Sequence, residues 1–205
     1  MSTYVLNIDI ASSDLATIVG SGQQLSIIKS AAGGTPVSWV TFTPFENNTI
    51  TWTEDYYLYA SQTEVQASAT IQKLSQTAGI ANESQVYSFS NSVFSPGSAS
   101  TLEGYLVQNA MTMYQSLTFG LAQGLTVNGT AQPTSPINAQ VLPRGFQAQF
   151  IPYETVILVF NNTIITSQVY TRTASESDQI TFGPGTSTQT VSFSAGKWLT
   201  GPLQP

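Results

Sequence analysis

The chain has 205 residues, and only 8% of them are Lys, Arg, Asp or Glu, against about 25% in ordinary domains. It has no cysteine and no histidine, which excludes disulfides, thiolate nucleophiles, the commonest metal ligands and the Ser-His-Asp and Cys-His machines. The net charge is −6 and the five bases (Lys29, Lys73, Arg144, Arg172, Lys197) are scattered singly, so the basic stripe that a nucleic-acid interface needs is missing.

From the N-terminus, Tyr4, Leu6, Ile8 and Ile10 alternate with Val5, Asn7 and Asp9, the pattern of a half-buried strand. Neither a basic region nor an apolar signal core precedes it. The expectation is therefore a cytoplasmic protein, or one released without a signal peptide. Ser13 to Val19, ending at Gly20, predicts a short helical turn. Val37 to Thr43 alternates again around Trp39. Glu64 to Gln72 alternates strictly and predicts a further strand. Ser100-x-x-Glu103 is a capping-box pattern and predicts a short helix. Thr155 to Phe160 is continuously apolar, as in a strand buried on both faces. Gln189 to Ser194 alternates around Val191 and Phe193. Turn signals such as Gly33-Gly34, Asn128-Gly129 and Gly183-Pro184-Gly185 separate these runs. The spacing predicts an all-β fold, an antiparallel sandwich or barrel, with at most one or two short helices.

One pattern recurs. Phe42-Thr-Pro44-Phe45-Glu46 through Trp52 lines up without gaps against Phe150-Ile-Pro152-Tyr153-Glu154 through Phe160. The expectation is two pseudo-repeated halves, 1–98 and 99–205, packed as one unit around a shared core, with a seam in Ser95 to Leu102. Pro44 and Pro152 would mark equivalent bends. Glu46 and Glu154 would each cap a bend by accepting backbone N–H bonds.

Few groups for chemistry remain. No catalytic residue, metal site or cofactor is expected. Trp52, Tyr56, Tyr57 and Tyr59 crowd one stretch with Glu54 and Asp55, and Trp39 lies upstream. On a strand, Tyr57 and Tyr59 share one face and Tyr56 and Leu58 the other. Leu58 marks its side as core, so Tyr57 and Tyr59 would form an exposed aromatic face. Trp39, Trp52, Glu54, Asp55, Tyr57 and Tyr59 are accordingly the candidate ligand-binding residues. The general character resembles small leaderless β-sandwich lectins and cytolysins, in composition alone, so no functional residue is transferred.

The leading expectation is a non-catalytic binding protein that recognises glycans or a membrane surface. Sparse charge also suits self-association, as in a coat or inclusion protein. A third reading is a carboxylate-only glycosidase using Glu46 and Glu154.

Overall fold

The computed structural model describes residues 2–171 and 177–203; Arg172 lies outside them. In chain order the elements are β1 (Thr3–Ile10), α1 (Ser12–Gly20), β2 (Gln24–Ala32), β3 (Thr35–Pro36), β4 (Ser38–Phe42), β5 (Asn47–Thr53), β6 (Tyr56–Ser61), β7 (Lys73–Gln76), β8 (Gln85–Ser90), β9 (Val93–Ala99), β10 (Tyr105–Asn109), β11 (Ser116–Val127), β12 (Thr130–Pro136), β13 (Asn138–Pro143), β14 (Gln147–Asn161), β15 (Ser177–Thr181), β16 (Thr188–Ser194) and β17 (Lys197–Thr200).

The strands form two sheets. The first runs β17-β16-β1-β5-β11-β13-β3, with β12 and β6 also on β11 and β7 on β6. The second runs β4-β2-β14-β10-β8-β9, with β15 also on β14. Their inner faces share one core. Leu6, Ile8, Ile50, Trp52, Leu58, Phe119 and Leu121 come from the first sheet, and Leu25, Ile27, Val107, Phe150, Val156 and Leu158 from the second. The all-β, two-sheet architecture is the one expected from the alternation. Most pairings are antiparallel, but β1–β16 and β8–β10 run parallel. Local alternation specifies which face is buried and leaves the direction of a distant partner open.

Several local expectations hold. β1 buries Leu6, Ile8 and Ile10, and β14 buries Val156, Leu158, Val159 and Phe160. Helix α1 stands where Ser13 to Val19 predicted it and buries Ile18. Its Asp14 carboxylate accepts the amides of Ala195 and Gly196 and fastens the helix to the β16–β17 turn. Asn128 and Gly129 both have positive φ, 50° and 78°, the hairpin geometry that an Asn-Gly pair favours.

Others fail. Residues 62–72 form a loop, because their backbone bonds go to a neighbouring loop: Ile71 N to Ser167 O and Val169 N to Ala69 O, both 2.8 Å. There the alternating Val65, Ala69 and Ile71 pack against Tyr59, Ala122 and Val169 as a small second core outside the first sheet. No helix forms after Ser100. The Ser100 hydroxyl instead accepts the Leu102 amide in a bend, and the chain extends into β10. The expected seam at 95–102 lies mostly inside β9, which pairs with β8.

The two recurring segments also differ. Phe42 ends β4 in the second sheet, and residues 43–46 carry the chain across to β5 in the first. Asn48 secures this crossing by accepting the Phe45 amide and donating to the Phe45 carbonyl. Phe150 to Phe160 instead stays within β14.

Candidate functional site

Strands β5 and β6 are successive segments lying along the same side of β11. Thr51 pairs with Thr126 and Tyr56 with Gln123, so five steps along one chain face three along the other. The two extra residues bulge out at Thr53-Glu54-Asp55. On the other side of β11, Gln123 pairs with Ser135 and Leu125 with Gln132, three steps against two, so β12 bulges as well. Bulges bend a strand away from its neighbour. With both neighbours of β11 displaced at the same level, a groove of about 320 Å³ opens around Gly124.

Thr51, Gly124 and Thr126 alternate with the buried Trp52, Gln123 and Leu125, so the groove lies on the face turned away from the core. Its walls carry Thr51, Thr53, Thr126 and Thr134, together with Asp55, Gln132 and Tyr57. A methyl group added to Gly124 would meet only Thr134 Oγ1, at 3.9 Å, so the missing side chain is what leaves the floor open. Asp55 takes a hydrogen bond from Thr53 Oγ1 at 2.5 Å on Oδ2. Its Oδ1 is buried and has no hydrogen-bond partner, an exception to the usual pairing of buried polar atoms.

The second sheet has a matching irregularity. Pro152 pairs with Ala31 and Val156 with Lys29, four steps against two. The two-residue excess at Tyr153-Glu154-Thr155 turns Glu154 toward the core, where it meets a fully buried lysine. Leu25, Ile27 and Lys29 occupy alternate positions of β2, which places Lys29 on the apolar face. Its ammonium donates to both Glu154 oxygens (3.0 and 2.9 Å), to Tyr56 Oη (2.8 Å) and to Gln123 Oε1 (2.9 Å). The rings of Trp39, Trp52 and Tyr56 surround it at 5.1 to 5.4 Å, within cation–π range. Trp52 Nε1 and Tyr56 Oη donate to Glu154 at 2.9 and 2.5 Å, and Trp39 Nε1 donates to the Gln123 carbonyl. Burial pulls the Lys29 pKa down to about 8, with the Glu154 charge opposing the fall. The Tyr56 hydroxyl is pushed far up by burial and then by Glu154. The cluster satisfies every ammonium proton and joins the two sheets.

Glu154 also borders a cleft of about 380 Å³, with Glu54, Glu83, Tyr56, Tyr105 and Pro152. Burial acts to raise the Glu54 pKa, but hydrogen bonds from Tyr4 Oη and the Ser2 amide outweigh it and hold the carboxyl below its usual range. Burial and the Glu54 contact push Tyr4 up to about 12. Among the described residues, no group of three Asp or Glu side chains is arranged to hold a metal ion.

The sequence candidates therefore divide. Asp55, Tyr57 and Trp52 border the groove, and Glu54 turns to the separate acidic cleft. Trp39, Trp52 and Tyr59 are buried, so the expected exposed aromatic face does not form. Parity put Tyr59 on the side of Tyr57 correctly, but the 62–72 loop covers it, and its hydroxyl donates to the Asn138 carbonyl at 2.7 Å. Glu154 binds a lysine and two aromatic donors where a backbone cap was expected, and Glu46 is exposed. Trp52, bonded to Glu154, is six residues from Glu46, roughly 20 Å along an extended chain. Sequence reasoning missed Lys29, Gln123 and Gly124. A lysine at the third position of an apolar face in a chain with five bases was the one available signal.

No family model, curated protein or solved structure matches the chain. Among the described residues, no helix is long and apolar enough to cross a membrane.

Proposed function

We propose that the protein is a non-catalytic, lectin-like glycan-binding protein and that the groove over Gly124 is its saccharide site. The observation that carries this reading is the open trough over Gly124, in which half-buried Tyr57 and the Asp55 carboxylate stand among threonine hydroxyls. A sugar offers C–H faces to an aromatic ring and hydroxyl donors to a carboxylate oxygen. The threonine hydroxyls and the Gln132 amide supply both donors and acceptors around it. The site is preformed by bulged strands, so binding orders little of the chain.

A glycan array followed by calorimetry on the best ligand tests this. Gly124→Val fills the floor at a position with room for it, and Tyr57→Ala removes the ring. Each is expected to abolish binding while circular dichroism stays unchanged. Silence of the wild type across the array, or undiminished binding by both variants, sinks the reading.

A second reading, self-association, is favoured by the open edge strand β9, which is uncharged and exposed at nearly every residue. Pro96 within it removes one ladder donor. Sedimentation that shows a monodisperse monomer at micromolar concentration removes this reading.

A further inference from the structure

Three connections meet at one end of the sandwich: the β8–β9 turn, residues 110–115 between β10 and β11, and the β13–β14 turn. They present large apolar side chains to solvent. Met113 is 80% exposed, Phe146 63% and Val93 58%. Exposed apolar side chains are ordinary when scattered, but three large ones on hydrogen-bonded neighbouring loops call for a partner.

The tip is not loosely built. Arg144 N donates to the Gln115 carbonyl and Gly145 N to the Asn109 carbonyl, at 2.8 and 2.7 Å, and Asn109 N donates to the Phe146 carbonyl at 3.0 Å. Asn109 Nδ2 holds the Leu142 carbonyl at 2.9 Å. Met111 is buried beneath, with the Ser92 amide against its sulfur at 3.5 Å. The three loops therefore form one rigid platform, and the apolar side chains stand out from a fixed base.

Charge is distributed to match. The protein carries −6 overall, yet from Gly104 to Tyr153 the one ionisable charge is Arg144, and residues 84–102 carry none. Arg144 Nη1 binds the Thr112 carbonyl at 2.8 Å, which aims the guanidinium across the tip and leaves further N–H donors for an anion. Apolar side chains around a single cation complement a bilayer surface bearing anionic headgroups. The side chains enter the acyl boundary and the guanidinium meets phosphate or carboxylate.

We propose that this tip seats the protein in the surface of an anionic lipid bilayer, independently of the groove. Vesicle flotation tests it. The wild type is expected to float with phosphatidylcholine vesicles containing phosphatidylserine and to bind pure phosphatidylcholine more weakly. The double variant Met113→Ser/Phe146→Ser should lose about tenfold or more in partitioning, as expected for two apolar side chains withheld from lipid. Arg144→Gln should bring both vesicle types to the same weak level. These side chains are exposed, so thermal unfolding should show each variant folded. Failure of the wild type to float with either vesicle overturns the proposal. So does flotation untouched by the double variant. A wild-type dimer that the double variant converts to monomer, without lipid binding by either, would assign the face to a second copy of this chain instead.

Discussion

The bulge at Thr53-Glu54-Asp55 and the bulge at Tyr153-Glu154-Thr155 each insert two residues into one sheet, and each sends a glutamate to the same cleft. Their electrostatic settings differ. Glu154 closes on a buried ammonium and two further donors. Glu54 sits at the margin, held by a tyrosine hydroxyl and one amide. The first bulge also turns Asp55 outward into the groove. Equal backbone irregularities thus serve different ends: one ties the sheets together, and the other opens a recess.

The comparison predicts a graded set of effects. Glu154→Gln should be the most damaging, because it strands a buried charge, and urea unfolding should record a loss of about 3–5 kcal/mol. Adding Lys29→Met to it should recover much of that loss, since an apolar side chain of similar length fills the space without a charge. Trp52→Phe removes one hydrogen bond to the carboxylate and should cost about 1.5–3 kcal/mol. Glu54→Gln should cost at most about 1 kcal/mol, as partly solvated contacts do. Equal losses at Glu54 and Glu154 would break the distinction between the bulges.

pH sharpens the same contrast. Lys29 has a folded pKa of about 8 against 10.5 in the unfolded chain. Between these values the unfolded state binds more protons, so stability rises with pH from about 8. Near pH 10 the tyrosines act oppositely. Tyr4, Tyr56, Tyr59 and Tyr105 are raised by burial, so they ionise first in the unfolded state and stability falls. Denaturant titrations across this range should show the rise in the wild type and lose it in Lys29→Met.

The recurring segments 42–52 and 150–160 show how far local pattern reaches. They share Phe, Pro and Glu at matched positions, yet one crosses between sheets and the other bulges within a strand. Proline and a glutamate two residues on specify an interruption of the ladder, whereas the paired strands decide what form it takes. For this reason Glu46→Gln should leave unfolding unchanged while Glu154→Gln does not.

The sequence by itself determined strands β1, β4, β14 and β16, the buried face of β1 and the helix at Ser12–Gly20, because alternation and turn chemistry act over a few residues. It also placed Asp55 and Tyr57 among the candidates, through the density of aromatic and acidic side chains there. The parallel pairings, the cover over Tyr59, the junction of Lys29 with Glu154 and the double bulge around Gly124 were decided by tertiary structure alone. Lys29 and Glu154 lie 125 residues apart, and the register that joins them is set by the pairing of β2 with β14 across the bulge. No local pattern in either segment encodes that register.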